Sequence, residues 1–221
     1  MKTWLLYIAL LTGILGGCSA APPRIDGVSW EVFRLRSSET GNVREELSLF
    51  IRGDDDDGRA DLEELYIVHP ESRLYWRLYP ETWEERSRGG VSWIGSSWLS
   101  GTAGVPRGEY LLVLLDRAGE RSEERIFIDL PSFQDYDAEE EYPALLRREK
   151  DFLIIASSPR PYYILGEDTE GQVRVSTETD QESFNPLEYT EALGGMFVNW
   201  YVFVRDSRGW YAGSGPYSDF R

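Results

Sequence analysis

From Val28 onward the apolar residues recur with a period of two rather than 3.6. Val28, Trp30 and Val32 alternate with polar neighbours, Leu47, Leu49 and Ile51 do the same, and Leu74, Trp76 and Leu78 fall on the side opposite Tyr75, Arg77 and Tyr79. This is the pattern of strands with one buried face. Turn-forming clusters punctuate it at Glu39-Thr40-Gly41-Asn42, at the acidic stretch Gly53 to Gly58, at His69-Pro70-Glu71-Ser72 and at Asp116-Arg117-Ala118-Gly119. Further strands are expected at 152–156, 162–165 and 172–176, with a last hairpin opening at Trp200-Tyr201-Val202-Phe203-Val204 and turning at Asp206-Ser207-Arg208-Gly209. One helical signal interrupts them. Asn185-Pro186-Leu187-Glu188 reads as an N-cap, a proline at the first helical position and a capping acid, and Gly194-Gly195 would end that helix. A second short helix is expected after Pro143.

The segment Pro106-Arg107-Gly108-Glu109-Tyr110, followed by the apolar run Leu111 to Leu115, the turn 116–119 and the alternating 121–130, resembles the closing hairpin of an immunoglobulin-like domain. That resemblance is architectural and implies a fold, not an activity. The hairpins at Tyr110 and Tyr201 share the order aromatic, apolar run, Asp-x-x-Gly, strand, which suggests a degenerate repeat. The expected fold is therefore all-β: an immunoglobulin-like antiparallel sandwich over 28–130, an acidic connection over 131–151, and a smaller C-terminal β unit over 152–221 with one or two short helices. A unit of that size is small for a sandwich and is expected either to stand alone or to pack as a half-domain on the first.

The N-terminus is organised differently. A single cation, Lys2, precedes an apolar run over 3–15 that has the length of a signal-peptide core rather than of a membrane span. It ends in Leu15-Gly16-Gly17-Cys18, and Cys18 is the only cysteine in the chain. These residues resemble a bacterial lipoprotein lipobox. The resemblance implies a signal peptide over 1–17, cleavage before Cys18, lipidation (diacylglyceryl and palmitate-type acyl chains) of Cys18, and a tether over 18–27. It also implies a cell-envelope location, with Ser19 pointing to an outer membrane and the body of the protein in the periplasm or at the cell surface. No other stretch is apolar enough to span a bilayer.

Composition narrows the chemistry. With 39 acidic against 23 basic residues the formal charge is -16, which disfavours nucleic acid and anionic lipid head groups as partners. One cysteine and one histidine leave no disulfide framework, no ordinary zinc site, and no nucleophile triad that does not use His69. There is no phosphate-binding glycine loop, nucleophile elbow or zinc-protease helix. His69, before Pro70 at a strand end, reads as a turn histidine. No cofactor is expected, and the chain is expected not to be an enzyme.

Two constellations remain. Aligned on an EF-hand loop with Gly58 at position six, Asp55, Asp57, Asp61 and Glu64 take positions three, five, nine and twelve, but Gly53 occupies the first ligand position. The expectation is a solvated turn without a tight metal site, these four acids being weak candidates at most. Trp83, Trp93 and Trp98 lie in a Gly- and Ser-rich region and read as loop aromatics, suited to stacking on a sugar or to plugging the end of the sandwich. The function expected is that of a lipid-anchored, non-catalytic binding or assembly module. Its partners are the membrane through the N-terminal lipid, and an envelope protein or a glycan held by those tryptophans; an acid-pair glycosidase is the less favoured alternative.

Overall fold

A computed structural model describes residues 21–102, 104–129, 142–149, 151–156, 161–193, 197–205 and 210–218. The strands are β1 (Arg24–Ser37), β2 (Val43–Asp54), β3 (Leu62–His69), β4 (Leu74–Leu78), β5 (Glu84–Arg88), β6 (Val91–Ser100), β7 (Gly108–Asp116) and β8 (Arg121–Ile128), then β9 (Ala144–Arg148), β10 (Asp151–Ile155), β11 (Tyr162–Asp168), β12 (Val173–Thr179), β13 (Ser183–Phe184), β14 (Phe197–Arg205) and β15 (Tyr211–Ser218). A single helix, α1 (Pro186–Leu193), lies between β13 and β14. Asn185 caps it as its sequence requires, accepting the Leu187 N–H on Oδ1 at 3.0 Å.

Three sheets result. Eight strands run in the order β12-β11-β14-β15-β1-β2-β6-β5, four in the order β4-β3-β7-β8, and three in the order β13-β10-β9. The first eight strands reproduce an immunoglobulin sandwich: β1-β2-β6-β5 stands for A-B-E-D, and β4-β3-β7-β8 for C′-C-F-G. Tyr110, at the start of the F-like strand β7, donates its hydroxyl back to Pro106 O at 2.8 Å, the corner contact of such domains. The second half repeats the scheme. There β9-β10-β13 corresponds to A-B-E and β12-β11-β14-β15 to C′-C-F-G, with α1 in the E–F connection and no D-like strand among the described residues. The two hairpins whose sequences look alike, β7-β8 and β14-β15, hold equivalent places.

The halves are fused through backbone hydrogen bonds. β15 pairs in parallel with β1, from Phe33↔Tyr211 to Ser37↔Gly215, so one sheet of each sandwich merges into the eight-stranded sheet. That sheet is consequently mixed, not purely antiparallel. Register partners share a face: Val32 opposes Leu47 in the first core, and Arg34, two residues on, opposes Ala212 in the second. Both smaller sheets therefore cover the same side of the large one. At their boundary Glu45 is held by both Arg107 nitrogens (2.7 and 3.2 Å) and lies 3.7 Å from Arg34, whose guanidinium sits 4.2 Å from the centre of the Trp210 ring.

Two details depart from the sequence reading. β1 begins at Arg24, within the stretch assigned to the tether. The segment after Pro143 is a strand, β9, not a helix, so the connection assigned to 131–151 already contains the first strand of the C-terminal unit. One helix is present among the described residues, within the one or two expected. Residues 1–20, with the lipobox, and the acidic run 135–141 lie outside the described residues.

Candidate ligand groove

The side of the large sheet that neither small sheet covers carries the alternate residues of each strand. These are Ser29, Glu31, Phe33 and Leu35 on β1, Ser48 and Phe50 on β2, Tyr163 and Leu165 on β11, Tyr201 and Phe203 on β14, and Tyr211 on β15. β14 and the C-terminal half of β1 thus carry apolar residues on this face too, and there they make a cluster of their own. Phe33, Leu35, Leu165, Tyr201 and Phe203 are buried in it, with Trp98, Tyr163, Val173 and Tyr211 packed half-buried around them. The Phe33 ring is its centre, 5.0 Å from both Phe203 and Tyr211 and 5.9 Å from Trp98. Gly213 makes this packing possible. A Cβ there would meet Phe203 Cδ1 at 2.1 Å, so the bare strand lets the ring lie across it.

Above this floor runs a groove of about 420 Å³, within the usual size range of a small-molecule site. Ser87 of β5 and Ser176 of β12 both line it, so the two edge strands of the sheet face each other across it. Its walls combine the rings of Phe33, Phe50, Tyr163 and Tyr211 with Ser29, Ser48 and Ser176, which register places on the same face, while Ser87 borders the groove from the edge strand. Arg86 is the one cation in the lining and Glu31 the one carboxylate. Arg86 is fixed: its guanidinium stacks 3.9 Å from the centre of the Phe50 ring, Nη2 donates to Ser97 Oγ at 2.6 Å, and Glu84 lies 3.4 Å away. Glu84 in turn accepts the Ser97 N–H at 2.7 Å. Burial lowers the pKa of Arg86, against the attraction of Glu84 and Glu31. Burial, with Glu31 adding to it, pushes the Tyr211 phenol up to about 12, and burial with Glu178 raises Tyr163. The groove offers neutral phenols, hydroxyls, one anchored cation and the Glu31 carboxyl. This set can stack and hydrogen-bond a ligand.

Of the three tryptophans expected on loops, one lies in a turn and two lie on a strand. Trp83, in the turn between β4 and β5, is buried in the first core. Trp93 and Trp98 are on β6. Trp93 pairs in register with Arg86 and therefore shares the groove side, against Gly27, while Trp98 seals the floor beside Phe33, Tyr201 and Phe203. Neither lines the cavity itself. His69 is buried, its Nε2 2.9 Å from Arg107 O and its Nδ1 2.8 Å from Ser72 Oγ, which accounts for both ring nitrogens as structural. Asp55, Asp57 and Asp61 each bring one carboxylate oxygen within 4.8 Å of the others, whereas Glu64 is ion-paired with Arg77. The groove residues themselves escaped the sequence reading. Their one signal is that Glu31-Val32-Phe33-Arg34-Leu35 and Leu49-Phe50-Ile51 do not alternate cleanly, a sign of strands buried on both faces.

No protein-family model, curated protein or solved structure matches the chain. The fold and the groove alone define its class: an all-β protein of two sandwich-like halves, with strand orders similar to those of immunoglobulin domains, that share one eight-stranded mixed sheet.

Proposed function

We propose that this protein is a lipid-anchored, non-catalytic recognition module of the bacterial cell envelope that takes its ligand in the groove of the eight-stranded sheet. The observation that carries the reading is the lining. Aromatic rings form its walls, the serines Ser29, Ser48 and Ser176 border them on the same face, and a cation already held by Glu84 and Ser97 sits at one edge. Rings give an apolar platform and hydroxyls give directional bonds, which together suit a hydroxyl-rich ligand with an apolar face. An envelope glycan has that chemistry, so the groove, and not the tryptophan set named from sequence, is the better glycan site. The anchor follows from the lipobox resemblance: acyl chains on Cys18, at about 0.8 kcal/mol per buried methylene, hold the module at a membrane without the fold touching lipid.

The test is a calorimetric titration of the purified chain with soluble envelope-glycan fragments. The parent should bind, and Tyr211→Ala should weaken binding by at least about tenfold, a hot-spot loss of roughly 1–3 kcal/mol. Trp83→Ala should act on stability alone. No binding by the parent, or equal binding by Tyr211→Ala, overturns the glycan reading.

A further inference from the structure

The acidic run between β2 and β3 is divided into two groups. Asp54 and Asp56 belong to Arg24, whose Nη2 lies 3.5 Å from one and 2.7 Å from the other. Asp55 and Asp57 belong with Asp61: one oxygen of each lies within 4.8 Å of the others. The corner at Gly58, with φ +107, and the 3-10 turn Arg59–Asp61 bring Asp61 back to the pair. Among the ion pairs of the described residues, the basic partners in this loop go to the first group only.

A second observation comes from Asp55 itself. It is only 5% exposed; its Oδ1 accepts the Asp57 N–H at 2.8 Å, and its Oδ2 is shut away from solvent with no hydrogen-bond partner. A carboxylate oxygen removed from water and given no hydrogen bond carries a desolvation cost that a cation beside it relieves.

We propose that Asp55, Asp57 and Asp61 form a Ca²⁺ site. All donors are hard oxygens, the chemistry that calcium and magnesium take. Calcium takes oxygen ligands in a flexible geometry at about 2.3–2.6 Å, whereas magnesium demands near-ideal octahedral geometry at about 2.0–2.1 Å, so three carboxylates held loosely together suit calcium. Three carboxylates and no acid at the first loop position make the site weak, with a Kd on the order of 10⁻⁴ to 10⁻³ M, the range of extracellular modules. The ion would fix the β2–β3 loop beside the start of β1, where the Ala21 N–H already donates to Asp57 Oδ2 at 3.0 Å. It therefore bears on how the body is held at its tether.

The experiment is a titration of the chelator-treated full chain with Ca²⁺ by calorimetry, with melting curves alongside. Two double variants remove equal charge: Asp55→Asn with Asp61→Asn, and Asp54→Asn with Asp56→Asn. The parent and the second variant should bind saturably in the stated range, and the first at least tenfold more weakly. Its melting curve in chelator should match or exceed that of the parent, which shows that the loss is not unfolding. If the first variant does not fold, Asp61→Asn alone, at a half-exposed position, is judged by the same criterion. No saturable heat up to about 10 mM Ca²⁺, or equal weakening in both double variants, overturns the site in favour of diffuse attraction to the acidic run.

Discussion

At the scale of single residues, the protein keeps charges inside by supplying partners, and the exceptions are informative. Glu46 is one. Its Oε1 accepts from Arg44 Nε at 2.6 Å while its Oε2 is buried without a hydrogen-bond partner, and burial raises its pKa despite Arg44. The folded chain thus keeps that proton to a higher pH than the unfolded chain. Its contribution to stability is full below the ordinary carboxyl range and is lost as pH rises through the folded value. Glu46→Gln should leave the melting temperature unchanged near pH 4 and raise it relative to the parent toward pH 7; thermal melts across that range check this, and a difference of constant size would contradict it. Gly213 is a second such position. Its missing side chain is filled by the Phe203 ring, so Gly213→Ala should cost about 1–3 kcal/mol by overpacking, read from urea unfolding, while Gly27→Ala, whose Cβ would meet Trp93 at 3.6 Å, should cost less.

At the scale of elements, what the chain reveals locally and what it hides have different physical origins. β4 and β7 announce themselves because each alternates over one face buried in the sandwich, the β14-β15 hairpin does so through its apolar run, and Asn185 caps α1 through an atom two residues from its target. β9 does not. Ala144–Arg148 is five residues long, has one buried apolar side chain and follows a long acidic stretch, so nothing periodic marks it. The first turn of β1 is hidden for another reason: an irregularity between Ile25 and Gly27 breaks the alternation just where the strand begins. The groove is hidden most thoroughly, because it exists only once β15 finds β1, and no local pattern encodes a pairing between residues so far apart in sequence. The tryptophans mislead for the same reason, since Ser- and Gly-rich flanks look like loop where β6 bends past Gly95. There a Cβ would stand 2.0 Å from Leu49 O, so the strand needs glycine to approach its neighbour.

At the scale of the molecule, a shared sheet makes the two sandwiches one mechanical body. Each has a core of its own, yet Phe33, Leu35 and Phe203 belong to a third cluster that draws on both. Phe33→Ala should destabilise the protein by about 3–5 kcal/mol and shift a single unfolding transition, seen alike by tryptophan fluorescence and far-ultraviolet circular dichroism. Two separated transitions would show that the sandwiches are energetically independent. Outside the described residues, Cys18→Ala should release the protein from the membrane fraction or leave its precursor uncleaved, which mass spectrometry of the N-terminus reads directly. An unmodified mature terminus at another residue would contradict the anchor.

The central claim is that recognition occurs on the uncovered face of the eight-stranded sheet. Backbone hydrogen exchange of the full chain, with and without soluble envelope-glycan fragments, tests it most directly. The account predicts added protection in β1 around Ser29 to Phe33, in β2 around Ser48 to Phe50, and in the facing edge strands at Ser87 and Ser176. Protection confined to the turns at Pro70 to Arg73 and Asp116 to Gly119, with the groove strands unchanged, would contradict it.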